Sequence, residues 1–305
     1  MLTPSVRPGK RAEHFVLALA VRTPPTPQRR HDPASPRRMH DSLCRDTIPR
    51  MAKVRALVLR APGINCDEET AFAWERAGAT AERIHVNQLL SEATKLDAFS
   101  ILTIPGGFSY GDDIASGRIL GNQLRHHLGD HLQAFVDRGG LILGICNGFQ
   151  VLVRMGLLPG DDCEATVTLV MNDSARYEDR WVRCRVETDH CRLLDTGEEF
   201  DFPVAHGEGK ILIRGGSQGA SELKQKGRLA LTYISRDGSP AKFPENPNGS
   251  IENLAGLTDR TGRILGLMPH PERNLFKCQS PAKNRVFNTE TAGSRFFRRI
   301  IERLV

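Results

Sequence analysis

The chain has 305 residues, 39% hydrophobic and 26% charged, an ordinary globular composition long enough for one large or two modest domains around a substantial core. Its formal net charge of +6 resides in residues 1–50, which hold 10 Lys+Arg against 4 Asp+Glu and leave 32 of each for residues 51–305, so the body is neutral and offers nucleic acid no basic face. No apolar run approaches the roughly 20 residues of a membrane span, and seven cysteines without a C-x-x-C pair argue for free thiols in a reducing compartment, against a disulfide framework or a zinc site.

Residues 1–50 carry eight of the 18 prolines and the pairs Arg29-Arg30 and Arg37-Arg38. Such a stretch buries too little apolar surface to offset its ordering entropy, which predicts a disordered, basic, Pro-rich extension. Its run FVLALAV (15–21) faintly resembles a signal peptide, at the short limit of that pattern. Met51 opens MAKVRALVLRAPG, where a normal first strand begins, so residues 1–50 also read as a segment ahead of a later start codon.

From residue 53 strands and helices alternate. VRALVLR (54–60) is a strand stopped by Pro62-Gly63. DEETAFAWERAG (67–78) opens on acids and closes on Gly78, a helix with both boundary signals. ERIHV (82–86) is a strand, FSILTIPGG (99–107) a buried strand, 115–138 a helix, and GLILGIC (140–146) a further strand leading into a helix through about Met155. Continuous apolar strands alternating with helices predict an α/β fold: an open, mostly parallel, flavodoxin-like sheet with helices on both faces. Residues 161–262 differ. ATVTLV (165–170), RWVRCRV (180–186), GKILI (209–213) and LALTYIS (229–235) are short and partly alternating, which predicts additional antiparallel strands in the second half. ILGLMPHPE (264–272) returns to the buried type, and RFFRRIIERL (295–304) sets Phe296, Phe297, Ile300, Ile301 and Leu304 on one helical face. Residues 51–305 are expected to form one domain.

Three motifs carry chemistry. G-I-C-N-G (144–148) sits between a strand and a helix, the pattern of a nucleophile elbow, in which glycines are required where a Cβ would strike neighbouring backbone. Cys146 then lies at the positive end of the following helix, a setting that stabilises charge on sulfur. M-P-H-P-E (268–272) places His270 at a strand end between two prolines, with Glu272 two residues on. A thiol nucleophile needs a base working near neutral pH, and that base needs a carboxylate to orient it. In P-G-G-F-S-Y-G-D-D (105–113) a glycine pair ends a strand where open α/β sheets bind ligands, so the N–H groups of Gly107 and of Asn147 are candidates for an oxyanion hole. No residue spacing suggests a metal site.

Together, G-x-C-x-G-x-Q (Gly144 to Gln150), P-G-G (Pro105 to Gly107) and H-P-E (His270 to Glu272) resemble the class I glutamine amidotransferases. Adding HGEG (206–209), NPNGS (246–250) and MPHPER (268–273), residues 53–305 resemble the glutaminase subunits of phosphoribosylformylglycinamidine (FGAM) synthase. That resemblance implies hydrolysis of the glutamine side-chain amide in de novo purine synthesis, the released ammonia passing to a large synthetase subunit, with a small accessory subunit as a further expected partner. It implies no cofactor in this chain, with ATP and Mg²⁺ used by the synthetase, and a cytoplasmic enzyme. Cys146 would be nucleophile, His270 base and then acid, and Glu272 its orienter. Gln150, Gly106, His206 and Glu208 would lie around bound glutamine. RAPGINCD (60–67) departs from the family's R-F-P-G-[ST]-N-C at Ala61 and Ile64, a change expected to touch packing only. Two alternatives stay open: the glutaminase subunit of another biosynthetic amidotransferase, and a non-hydrolytic stress protein on the same scaffold. The latter places His after the elbow cysteine, where this chain has Asn147.

Overall fold

The computed structural model describes residues 54–160, 167–281 and 290–305. The expected extension over residues 1–50 lies outside the described residues. In chain order the elements are β1 (Arg55–Arg60), α1 (Asp67–Arg76), β2 (Thr80–His85), α2 (Val86–Ser91), β3 (Ile101–Ile104), α3 (Arg118–Asp137), β4 (Leu141–Ile145), α4 (Asn147–Met155) and β5 (Val167–Val170). They continue with β6 (Glu178–Val186), β7 (Glu199–His206), β8 (Lys210–Ile213), α5 (Gly216–Gln225), β9 (Leu229–Ile234), β10 (Leu254–Thr258), β11 (Ile264–Leu267) and α6 (Ala292–Glu302).

Nine strands form one sheet in the order β2-β1-β3-β4-β11-β10-β9-β6-β7. The first five are parallel to their neighbours, and the rest pair antiparallel. The antiparallel strands expected in the second half thus extend the same sheet, apart from β5 and β8, which form a separate antiparallel pair. β3 and β4 are buried at every residue, as strands covered on both faces must be.

Consecutive residues of β3 show the two faces, because successive side chains in a strand point opposite ways. Thr103 Oγ1 accepts a hydrogen bond from Trp74 Nε1 of α1 at 2.9 Å. Ile104 instead meets α4, whose Gly148 comes so close that a Cβ there would lie 1.8 Å from the Ile104 carbonyl oxygen. α6 shares the face of α1, with the Phe297 ring edge-on to Trp74 at 4.7 Å. The expected apolar face of α6 forms: Phe296, Phe297 and Ile300 are fully buried, and Ile301 and Leu304 pack at its margin.

The antiparallel half curls back over the C-terminal end of the parallel half. β7 ends the strand order, yet its Pro203 carbonyl accepts the His270 N–H at 2.8 Å, and the Asp201 carbonyl accepts Asn274 Nδ2 at 2.8 Å. Phe296 of α6 sets its ring edge against Phe200 and Phe202 of β7. The strand expected over 264–272 stops at Leu267, and Pro271–Arg273 form a 3₁₀ turn, because prolines at 269 and 271 lack the N–H a ladder needs. Among the described residues no helix is long and apolar enough to cross a membrane.

Candidate active site

The carboxyl end of β4 turns into α4 at Cys146, which adopts φ 51° and ψ −105°. A non-glycine residue holds that conformation only where its surroundings enforce it. Gly144 and Gly148 do so: a Cβ at Gly144 would lie 2.7 Å from the Gly148 carbonyl oxygen, and one at Gly148 would strike Ile104. The expected elbow is formed. Cys146 Sγ lies 3.7 Å from the Ala205 carbonyl of β7.

β11 runs beside β4 in parallel register, so residues just past their ends meet. His270 Nδ1 is 2.6 Å from Glu272 Oε1, with both side chains almost wholly buried. The thiols of Cys146 and of Cys66 both stand close enough to the imidazole to act on its charge. Burial alone would lower the His270 pKa; the Glu272 carboxylate and then Cys146 and Cys66 outweigh it and hold the pKa well above its ordinary value. His270 Nε2 and Glu272 Oε2 make no hydrogen bond.

The P-G-G loop lies against this group. A Cβ on Gly106 would sit 2.8 Å from His270 Cε1, and one on Gly107, at φ 141°, would sit 2.7 Å from the Gly63 carbonyl oxygen. Ile64, one of the two departures from the family pattern, forms an antiparallel bridge to Gly107. Asn147 ties the loop to the elbow through its side chain: Oδ1 accepts the Ser109 N–H at 3.1 Å, while Nδ2 donates to Asp112 Oδ1 at 3.1 Å and to Gln150 Oε1 at 3.0 Å. Gln150 Nε2 donates to the Glu208 carbonyl at 2.6 Å, which joins the HGEG turn to α4. His206 is buried one residue beyond Ala205; burial, then the neighbouring His270, lowers its pKa to about 4.

The fold therefore brings every expected site residue into one neighbourhood, with Glu208 reaching it through its backbone. It also recruits residues to which the sequence motifs assign no role. Asp112 is half-buried beside Asn147, its pKa raised by burial and further by Glu208. Tyr177 is exposed on one side and within electrostatic reach of Cys146 and His270. Arg273 Nη2 donates to Cys66 Sγ at 3.0 Å and its Nε to Glu69 at 2.8 Å. Cys66 joins His270 and Glu272 in a group whose donor atoms all lie within 4.8 Å of one another. Residue 66 is too far along the chain from 270 and 272 for spacing to show this.

A family model of the CobB/CobQ-like glutamine amidotransferase domain matches residues 53–302, which defines the class of protein. A Dehalococcoides mccartyi relative, phosphoribosylformylglycinamidine synthase subunit PurQ, is 44% identical over 76% of this chain and 89% of its own length. A Pyrococcus horikoshii PurQ is 36% identical over 82% of this chain and 98% of its own length. A solved structure of PurLQS from Thermotoga maritima superposes with a TM-score of 0.63 at 30% identity, over 83% of this chain and all of the matched one. The chain belongs to the PurQ family of phosphoribosylformylglycinamidine synthase subunits.

Proposed function

We propose that residues 51–305 form a single glutaminase domain in which Cys146 attacks the side-chain amide of glutamine, His270 shuttles the proton and Glu272 orients and charges His270. One geometric fact supports these roles above the rest: Cys146 is held at positive φ beside an imidazole whose Nδ1 is occupied by a carboxylate at 2.6 Å. With Nδ1 facing Glu272, Nε2 is the nitrogen left for sulfur. It holds the proton that the thiol has already given up, so that sulfur attacks as thiolate; as Sγ bonds to the amide carbon, the carbonyl oxygen becomes an oxyanion stabilised by the N–H groups of Gly107 and Asn147. Imidazolium returns the proton to the amide nitrogen, ammonia leaves, and a γ-glutamyl thioester remains. Water, deprotonated by His270, then releases glutamate and restores the thiol. Gly106, Gln150, His206 and Glu208 line the glutamine site.

The chain supplies this ammonia to FGAM synthase in de novo purine synthesis, converting the formylglycinamide ribonucleotide to its amidine. The large synthetase subunit consumes ATP and Mg²⁺, a small accessory subunit completes the assembly, and the complex works in the cytoplasm. Ammonia released into water protonates and diffuses away, so docking on the synthetase is expected to switch hydrolysis on. The test is glutamate release from glutamine with and without the cognate synthetase subunit. Wild type should be slow alone and stimulated by the partner, and Cys146→Ala should lose on the order of 10⁴-fold or more in both settings. A Cys146→Ala protein releasing glutamate at the wild-type rate would refute the triad, and indifference to the partner would refute the coupling.

A further inference from the structure

Cys66 takes no part in the proposed reaction, yet its sulfur, a His270 ring nitrogen and a Glu272 carboxylate oxygen lie within 4.8 Å of one another, all three residues buried. His270 Nε2 is given to Cys146 by the proposed reaction, but Glu272 Oε2 is buried without a hydrogen-bond partner and has no role there. Buried polar atoms without a partner are uncommon, since each forfeits its hydration. The space between ring and sulfur is kept open by Gly106, where a Cβ would lie 2.8 Å from His270 Cε1 and 3.1 Å from Cys66 Sγ.

We propose that Cys66, His270 and Glu272 form a binding site for a zinc-class divalent cation whose occupancy arrests glutamine hydrolysis. One sulfur, one imidazole nitrogen and one carboxylate oxygen suit a borderline-soft ion, whereas Mg²⁺ and Ca²⁺ take oxygen ligands. Three protein ligands leave a fourth position open to water. On binding, the Cys66 thiol releases its proton to solvent and nothing is oxidised or reduced. The metal occupies an imidazole lone pair or pulls away its carboxylate, so His270 can no longer serve Cys146. Arg273, donating to Cys66 Sγ at 3.0 Å, opposes a cation there, and Glu69 offsets part of its charge. The binding half of this proposal stands on the cluster alone; the arrest rests on the role given above to His270.

Zn²⁺ is titrated into the full-length, metal-free protein against a chromogenic chelator. Wild type and Cys146→Ala should bind alike, Cys66→Ser and Glu272→Gln should bind about tenfold or more weakly, and Arg273→Gln should bind more tightly. Circular dichroism checks that each variant folds; if Cys66→Ser does not, Glu272→Gln carries the comparison. Wild-type affinity in Cys66→Ser and Glu272→Gln, or no binding by wild type, would overturn the site. In parallel, Zn²⁺ should slow glutamate release by wild type, reversibly on adding EDTA, with the half-inhibitory concentration raised about tenfold in Cys66→Ser. Zinc bound with this pattern but without slowing release would overturn the arrest. A protein that binds zinc in this pattern yet never hydrolyses glutamine would sink the glutaminase reading and leave the site standing.

Discussion

Glu272 decides the charge of His270. Burial favours neutral imidazole, and the carboxylate at 2.6 Å is foremost among the groups that reverse it. Because the folded pKa is raised, imidazolium persists through neutral pH and is lost only as pH rises through that raised value. Glu272→Gln keeps an oxygen for Nδ1–H but removes the charge, so the His270 pKa falls toward the value that burial favours. Turnover should fall by roughly 10²–10⁴-fold, and the limb on which activity declines with rising pH should move to lower pH; pH–rate profiles of the two proteins check this. His206 has the opposite bias. Asn172 Nδ2 donates to the carbonyls of Arg176 and His206, so its Oδ1 is left to accept the His206 Nδ1–H. With burial and then His270 depressing the folded pKa to about 4 from 6.5, the unfolded chain binds the extra proton between those values. Its stabilising contribution is complete above pH 6.5 and is lost as pH falls toward 4, up to roughly 3 kcal/mol. Urea unfolding at pH 7 and pH 4.5 should show a smaller acid loss in His206→Gln than in wild type. Cys146, His270 and Glu272 were legible because each sits in a short motif whose chemistry is local. Cys66, Asp112 and the clamping role of the Asn147 side chain were not, since they depend on loops that meet only after folding.

The elbow works because a helix begins in van der Waals contact with a strand. Gly148→Ala would put a methyl group 1.8 Å from the Ile104 carbonyl oxygen, and that neighbour is backbone of a central strand that cannot turn aside. Relief requires α4 to lift, which moves Cys146 and unseats Asn147 from Ser109 and Asp112. Destabilisation of about 3 kcal/mol with a disproportionate loss of turnover is expected, measured by denaturant unfolding beside glutamate release; full activity would mean the elbow is less tightly seated than its glycines imply. The elements around this junction were readable from sequence, because β1, β3, β4 and β11 are unbroken apolar runs and α1, α3 and α4 carry boundary or periodicity signals. Others were not. α5 starts GSQG with no side-chain cap and composition typical of a loop. β10 is five residues long with Gly256 at a register shift. β7 contains Pro203, which argues against a central strand but is tolerated at the sheet edge where β7 lies.

For the whole molecule the consequential feature is the closure of one half of the sheet onto the other. Its alternation and parallel pattern were visible in sequence, but the curl was not, because no local signal states that the last strand in the order returns to His270. That return places the Ala205 carbonyl and His206 beside the proposed triad, whose residues lie just past the ends of β4 and β11. The two halves are joined there by the His270–Pro203 and Asn274–Asp201 hydrogen bonds and by Phe296, which packs on both Phe200 and Phe202. Phe296→Ala removes a fully buried ring from that junction, at a cost of about 3–5 kcal/mol. If the halves fold as one unit, this variant should still unfold in a single transition, the same by far-ultraviolet circular dichroism and by tryptophan fluorescence, with the midpoint shifted down. β7 supplies His206 to the proposed glutamine wall and also holds the His270 N–H through Pro203 and faces Cys146 through Ala205, so KM should rise and kcat should fall together. Two separate transitions would show that the curled half is an independent domain laid over the site, and an unchanged KM would show that β7 is not needed to shape it.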